Sequence, residues 1–215
     1  MTDHFGCLFL KWLFQWQTLV GSLIGGIFAL FTALIVARSA RRRDELASGV
    51  IVSATLASVS VMSDTLAALS SQENLTEETF PLWFSERAAN FHPLTPVLFD
   101  SSVARLASID VSLAAHLALF QQSYSQVELG LKRVADDYTY YHMHGKAFRP
   151  EEVMKADCQA ITKHFQFATK QASCAVYLIE ELVFSKLACW HKLRRCIGWY
   201  NKKEKECMEF LKRGG

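Results

Sequence analysis

Residues 12–37 read WLFQWQTLVGSLIGGIFALFTALIVA and carry no charged side chain over 26 consecutive positions. A helix needs about 20 predominantly apolar residues to cross a bilayer. The inner part, from Leu19 to Ala37, is almost wholly apolar and supplies that length. The stretch therefore predicts one transmembrane helix at 12–37, preceded by a short N-terminal segment at 1–11.

The residues on either side of this span predict its orientation. Trp12 and Trp16 stand at one end, where indole rings favour the headgroup level, beside the single basic residue Lys11. At the other end follow four arginines: Arg38, Arg41, Arg42 and Arg43. Because Lys and Arg are retained on the cytoplasmic side, we expect the N-terminus outside and the rest of the chain in the cytoplasm. A cleaved signal peptide carries its positive charge before the apolar run, so we expect an uncleaved anchor.

Small residues recur at every fourth position of the span: Gly21, Gly25, Ala29 and Ala33. Such a stripe lets two membrane helices approach closely and pack backbone against backbone. It predicts a homodimer through the transmembrane helix. The alternative is that Gly and Ala are simply frequent in membrane helices.

The run from Leu13 to Gly21, LFQWQTLVG, leads into this Gly/Ala-rich span. In this part of its sequence the chain resembles a loose group of uncharacterised bacterial single-span membrane proteins. The resemblance is specific for roughly this run and weak over residues 94–131. It implies a short anchor in the bacterial inner (cytoplasmic) membrane and a helical cytoplasmic part. It implies no activity and no site residues.

After the span, apolar residues recur at helical spacing along most of the chain. The pattern predicts a juxtamembrane helix at 38–70, a linker with short helices at 71–108, a long antiparallel helical hairpin at 109–200 and a basic tail at 201–215. Ten Gly and four Pro in 215 residues argue against a turn-rich β protein. We therefore predict an all-α fold, with an elongated antiparallel helical bundle beyond the membrane helix.

Two apolar seams define the hairpin, and both have the four-and-three spacing that is typical of a coiled coil. The first runs from Leu113 to Tyr141, with Asp110 as its N-cap. The second runs from Met154 to Tyr200. Gly145 is the turn residue between the helices, and Pro150 opens the second one.

Lys186 interrupts the second seam. Either its stem lies along the seam with the ammonium in water, or the buried face drifts to Leu187 at that turn.

Five cysteines follow the span, and the predicted orientation places them in the reducing cytoplasm. Cys158, Cys189 and Cys196 occupy seam positions, which predicts that they pack in the core as small apolar side chains. Cys174 and Cys207 lie off the seam, and we expect Cys207 to be exposed. The chain contains no C-x-x-C pair, which argues against a zinc ribbon or a thioredoxin-like motif.

His142 and His144 are the candidate metal ligands, because acidic residues precede and follow them in the sequence. The interpretation that we favour is a solvated turn between two helices, so we predict no metal site. His116 lies near the apolar face of a long helix. We therefore expect it to be a core or flanking histidine whose ring nitrogens are hydrogen-bonded. No phosphate-binding loop and no Glu-x-x-His pair of a di-iron bundle occurs, so we predict no catalytic residue and no cofactor.

Residues 189–215 carry eight basic and three acidic side chains, a net charge of +5, with Trp190 and Trp199 among them. Basic residues near a membrane attract anionic lipid, and contact with lipid is one interpretation of residues 189–213. The other interpretations are nucleic-acid binding, which we do not expect, and a solvated helix end that complements the helix dipole.

The sequence as a whole predicts a non-enzymatic, membrane-anchored scaffold or signalling module with an unknown protein partner. The alternative is a membrane-tethered, metal-dependent hydrolase or effector that uses the region from His142 to Glu152.

Overall fold

The computed structural model describes residues 3–73, 76, 79–91, 95–145 and 149–214, and these form helices joined by turns, with no strand among them. Within the described residues there are seven α-helices: α1 (Asp3–Gln72), α2 (Phe80–Phe91), α3 (Phe99–Ala107), α4 (Val111–His144), α5 (Glu151–Ile179), α6 (Ala188–Cys196) and α7 (Lys202–Gly214). A π-helix, Glu180–Phe184, follows α5 directly. The predicted all-α class is confirmed.

The chain divides into two compact units, Met1–Asp44 and Glu45–Gly215. In the first unit, every side chain from Leu19 to Arg41 is exposed. Among the described residues, α1 is the one helix that is long and apolar enough, by length and composition, to cross a membrane.

The core of the second unit contains the seam residues that periodicity predicts. On α4 the buried seam residues are Leu113, Leu117, Phe120, Tyr124, Val127, Leu131 and Val134. On α5 they are Cys158, Ile161, Phe165, Ala168, Ala172, Ala175 and Ile179. The first seam fades at its end, because Tyr138 is half-buried and Tyr141 is 54% exposed.

Close approach of α4 to α5 depends on Gly130. A Cβ atom at this position would lie 2.5 Å from Cγ1 of Ile161, which is far inside van der Waals contact. The absent side chain therefore lets the two helices meet. The shorter elements pack on the same core: the ring of Phe84 on α2 lies 5.1 Å from that of Phe165.

The ends of α4 and the start of α5 follow the predicted capping residues. The carboxylate of Asp110 accepts hydrogen bonds from the backbone N–H groups of Ser112 (2.9 Å) and Leu113 (3.0 Å), which confirms it as the N-cap. At the other end Gly145 adopts the left-handed conformation (φ 67°) and its N–H donates to the carbonyl of Tyr141 at 2.8 Å. Pro150 directly precedes α5, as predicted.

The second long helix is shorter than its seam predicts. α5 ends at Ile179, the π-helix widens the next turn, and the chain breaks at Ser185, whose Oγ accepts from the N–H of Leu187 at 3.0 Å. Lys186 lies in this break and is exposed, and Leu187 is 62% exposed. Both interpretations of Lys186 on a continuous seam are therefore wrong.

The same break determines which cysteines of the second seam are buried. Cys158 is fully buried, which confirms the prediction for this residue. Cys189 and Cys196 are exposed, so the prediction that they pack in the core is wrong. The physical reason is that the π-helix and the break at Ser185 take α6 out of the register that the four-and-three spacing assumes.

The seam can be tested by truncating one of its members. We expect Leu131→Ala to lower the free energy of unfolding by about 2–5 kcal/mol, because the removed side chain is fully buried. Denaturant unfolding of the detergent-solubilised protein, followed by circular dichroism, measures the change. Lys132→Ala is the matched control, because its side chain is exposed and the expected effect is within about 0.5 kcal/mol. Equal effects of the two substitutions would contradict the seam.

Candidate functional site

The strongest concentration of polar contacts lies where α7 meets the rest of the second unit, and it begins with a capping box. The side-chain oxygen of Asn201 accepts from the backbone N–H of Glu204 at 2.8 Å, and Glu204 accepts from the N–H of Asn201 at 2.7 Å. This reciprocal pair satisfies two backbone donors at the start of α7. It also turns the Glu204 carboxylate inward, where the residue is only 2% exposed.

Two neighbouring arginines of α6 connect this carboxylate to other helices. Nη2 of Arg194 lies 2.9 Å from Glu204 and 3.3 Å from Glu181 on the π-helix. Nη2 of Arg195 lies 3.1 Å from Asp110, the N-cap of α4. Removing charges from water is costly unless they are paired, so these ion pairs hold α6 and α7 in one arrangement against α4 and the π-helix.

Aromatic contacts complete the docking of α7 on α5. The ammonium of Lys203 lies 4.6 Å from the ring centre of Tyr177, and the rings of Phe167 and Phe210 are 5.5 Å apart. The Tyr177 hydroxyl donates a 2.6 Å hydrogen bond to Glu181. Burial and this hydrogen bond together raise the pKa of Tyr177 to about 12, so the hydroxyl stays a donor at neutral pH.

Beneath these contacts, three metal-ligating side chains from three helices converge. A ring nitrogen of His116 on α4 and the sulfurs of Cys174 on α5 and Cys207 on α7 lie within 4.8 Å of one another. His116 is fully buried and Cys207 is 4% exposed. Of the residues that the structure describes, these form the one group in which three such ligands meet.

The hydrogen bonding of His116 defines its tautomer. Nδ1 lies 2.5 Å from the side-chain oxygen of the buried Gln171, and because an amide oxygen only accepts, Nδ1 carries the proton. Nε2 is then left with its lone pair, buried and without a hydrogen-bond partner among the described residues. Burial lowers the pKa of His116, which keeps the imidazole neutral.

The two cysteines influence each other. A hydrogen bond between the two thiol groups lowers the pKa of Cys207, because it stabilises the Cys207 thiolate, and raises the pKa of Cys174, which is the donor. Lys203 and Arg195 also lower the pKa of Cys207 through their positive charges. The cluster therefore offers one neutral imidazole nitrogen and two sulfurs, of which that of Cys207 has the lowered pKa.

Sequence reasoning did not find this cluster. His116 is buried, as predicted, but only one of its two nitrogens has a partner. The expectation that Cys207 is exposed is wrong, because α7 docks with this face against α4 and α5. One local signal was present: Asn201 and Glu204 stand at capping-box spacing, with Cys207 one turn further on the same face. The partners on α4 and α5 are far away in sequence, and no local pattern links them.

His142 and His144, the candidate metal ligands of the sequence, lie elsewhere. The side chain of His142 is outside the described part of the structure, and His144 is exposed, with Nδ1 3.2 Å from the carbonyl of Tyr140 and its ring stacked on that of Tyr140 at 4.3 Å. Two of the four acids that flank them in sequence are paired with cations: Asp137 binds Arg149, and Glu151 lies 3.0 Å from Lys155.

A cavity of about 360 Å³ lies beside these two ion pairs. Its lining consists of Leu82, Tyr138, Tyr141, Asp137, Arg149, Glu151, Met154 and Lys155. Arg149 bridges Asp137 and Asp157 at its edge. The charged groups at the cavity are thus engaged in ion pairs with one another, and the rest of the lining is aromatic and aliphatic. The arrangement fits an apolar occupant better than a metal-bound water.

The residues predicted for the span lie on the exposed surface of α1. A Cβ atom at Gly21 or Gly25 would have nothing within 4 Å, and Ala29 and Ala33 are exposed. Of the orienting arginines, Arg38, Arg41 and Arg43 are exposed and Arg42 is half-buried. The stripe is thus accessible on this helix.

The basic tail is only partly a free surface. Arg194 and Arg195 are engaged in the ion pairs described above, whereas Lys202, Lys205 and Lys212 are exposed. The indole rings of Trp190 and Trp199 are 56% and 68% exposed. Any contact with anionic lipid would therefore use lysines and tryptophans rather than these two arginines.

Comparison with known proteins adds no family to this picture. Searches against protein-family models, curated proteins and solved structures found no match to the chain. The resemblance to bacterial single-span proteins stays a prediction.

The docking of α7 can be tested at its buried carboxylate. We expect Glu204→Ala to destabilise the α7 junction by about 3–5 kcal/mol, because it removes the capping acceptor and leaves Arg194 without one of its carboxylates. The rate at which Cys207 is alkylated in the solubilised protein should rise as α7 detaches. Glu209→Ala is the matched control, since Glu209 is exposed on the same helix. An unchanged alkylation rate in Glu204→Ala would contradict this account of docking.

Proposed function

We propose that the protein is a non-enzymatic, single-pass membrane protein whose helical second unit serves as a scaffold or signalling module for a protein partner that is not yet identified. The observation that carries the proposal is the exposed apolar surface of α1, from Leu19 to Ala37, in a chain that also contains a well-packed helical unit. Such an apolar surface is compatible with the hydrocarbon core of a bilayer. The anchor and the packed unit are the two parts that a membrane-tethered interaction module needs.

The charge distribution supports the proposed orientation. Four arginines within six residues follow the span, against Lys11 before it, and we therefore propose that the second unit lies on the cytoplasmic side. The bacterial inner membrane is part of the proposal because of the resemblance of residues 13–21 to bacterial single-span proteins. The arginines border the exposed apolar stretch without lying inside it. The arginine side chains would lie in the hydrated headgroup region on that side.

The proposed arrangement of α4 and α5 is an antiparallel hairpin within an elongated bundle. Three contacts support it: His116 with Gln171, Gly130 with Ile161, and Asp137 with Asp157 through Arg149. Residue numbers rise along α4 while those of the partners fall along α5, as expected for two helices that run in opposite directions. Coiled-coil packing along the seam belongs to the same proposal.

Pairing of charged groups favours an interaction module over the hydrolase that the His142–Glu152 region suggested. A general acid or a metal-bound water needs polar groups that are directed at a shared reactant. Here Asp137, Arg149 and Asp157 satisfy one another instead. The role proposed for these side chains is to hold the ends of α4 and α5 together.

Self-association through the span is part of the proposal. Lipid tails are as apolar as Leu, so close packing at small residues has to supply the attraction between membrane helices. Gly21 and Gly25 offer an open face for that packing. Anionic lipid at the exposed lysines of 189–213 is a second proposed contact, and each lysine near the surface would contribute about 1 kcal/mol.

Topology can be measured by thiol labelling in spheroplasts with an impermeant reagent, in a Cys7→Ser background. We expect Cys189 and Cys196, which are exposed on the second unit, to remain unlabelled until the membrane is permeabilised. Thr2→Cys provides the matched control, because it should be labelled before permeabilisation. Labelling of Cys189 or Cys196 in intact spheroplasts would refute the orientation.

The homodimer can be tested by substitution within the span. We expect Gly25→Ile to weaken association, because a bulky side chain on the stripe holds two backbones apart. Leu30→Ile, off the stripe and exposed, is the control and should leave association unchanged. An in-membrane association assay compares them, and parental behaviour of both variants would remove the dimer from the proposal.

A further inference from the structure

We propose that His116, Cys174 and Cys207 form a binding site for one thiophilic d¹⁰ cation, Zn²⁺ or Cu⁺, which ties α7 to α4 and α5. The proposal goes beyond the membrane-anchored module, and its failure would leave the evidence for the anchor unchanged. It rests on the convergence of three ligands from three helices and on the hydrogen bonding of the imidazole.

The ligand atoms lie close to the spacing that a bound ion requires. With Zn–S bonds of about 2.3 Å and Zn–N bonds of about 2.0 Å, the ligand atoms around a tetrahedral ion are roughly 3.5–3.8 Å apart. Here they lie within 4.8 Å of one another without an ion. Small rotamer shifts would therefore close the site, with no rearrangement of the helices.

The imidazole of His116 is in the tautomer that can coordinate a cation through Nε2. Gln171 accepts the proton of Nδ1 and thereby leaves Nε2 unprotonated, which is how outer hydrogen bonds orient metal-bound histidines in general. Nε2 is buried and has no hydrogen-bond partner in the described part of the chain. A buried nitrogen lone pair without a partner is costly, and coordination of a cation beside it would satisfy it.

The donor set selects the class of ion. Two sulfurs and one imidazole nitrogen favour soft or borderline cations, which excludes Mg²⁺ and Ca²⁺ with their preference for oxygen. Zn²⁺ would complete its shell with a fourth ligand, whereas Cu⁺ can use the three. Because His116 and Cys207 are buried, the ion would be shielded from bulk water and would have a structural or sensing role rather than a catalytic one.

Metal binding would couple to the docking of α7. One ligand comes from each of α4, α5 and α7, so the ion joins helices that otherwise meet through the ion pairs of Arg194 and Arg195 and the aromatic contacts of Tyr177 and Phe167. The two thiols release their protons to solvent when the ion binds. In this proposal the C-terminal helix is held firmly when the ion is present and less firmly when it is absent.

The experiment uses the full chain, purified in detergent under reducing, anaerobic conditions and stripped of metal. Zn²⁺ and Cu⁺ are titrated separately against chromophoric competitors, and Co²⁺ is added as a spectroscopic probe of thiolate ligation. We expect one ion per chain and thiolate-to-Co²⁺ charge-transfer absorption. The competition titrations decide between Zn²⁺ and Cu⁺, and tight binding of either one supports the proposal.

Variants separate this site from other thiols and histidines. We expect Cys174→Ser and Cys207→Ser to weaken binding by at least about 100-fold, and Gln171→Leu to weaken it by about 10–100-fold through loss of the outer hydrogen bond. The control Cys189→Ser/Cys196→Ser, which removes the two exposed thiols, and His142→Ala should bind as the parent does.

Three results would overturn the proposal. They are the absence of stoichiometric binding by the parent protein, retention of parental affinity in Cys207→Ser, and loss of the ion in His142→Ala or in the Cys189/Cys196 control. Circular dichroism of each metal-free variant checks its helical content. If Cys207→Ser loses helicity, Gln171→Leu, which keeps all three ligands, decides the question by its affinity.

Discussion

Burial of the apolar seam between α4 and α5 is the interaction on which the rest of the second unit depends. α4 contributes a row of large buried side chains, α5 sets Ile161, Phe165 and Ile179 among smaller buried residues, and Gly130 permits the close approach that brings Ile161 onto α4. Burial of a large apolar side chain stabilises the folded state by about 1.5–3 kcal/mol, so the two rows together provide the main driving force. α2, α3 and the second part of α1 add their own apolar faces to the surface that this pair creates.

Polar contacts have a different task, which is to define where the C-terminal elements lie. Hydrophobic contact is not directional, whereas a buried ion pair requires one geometry for each partner. Arg194, Arg195 and Glu204 meet that requirement through Asp110 and Glu181, at the point where the π-helix has ended the regular seam. The long seam thus provides the stability, and the charged groups at its end decide the placement of α6 and α7.

The cluster of His116, Cys174 and Cys207 lies beneath this polar junction because α7 is docked there. Its chemistry comes from position: an ordinary histidine and two ordinary cysteines become a soft ligand set when three helices bring them within 4.8 Å. The cluster and the exposed apolar stretch of α1 are in different units of the chain. In the proposed function, an anchor determines location and the ligand set depends on the docking of α7.

The sequence by itself determined the features that depend on local composition and period: the apolar span, the helical class, the caps at Asp110 and Gly145, and the seam residues as far as Leu182. These follow from short-range rules, because a helix repeats every 3.6 residues and a cap bonds within its own turn. Only the tertiary structure decided the end of α5, the exposure of Cys189 and Cys196 and the burial of Cys207. Each of these depends on a π-helical turn or on ion pairs between distant helices, whose energies involve residues that no local window contains. His116 shows the division: its spacing on α4 indicated a buried histidine, but its ligand geometry required α5 and α7 in place.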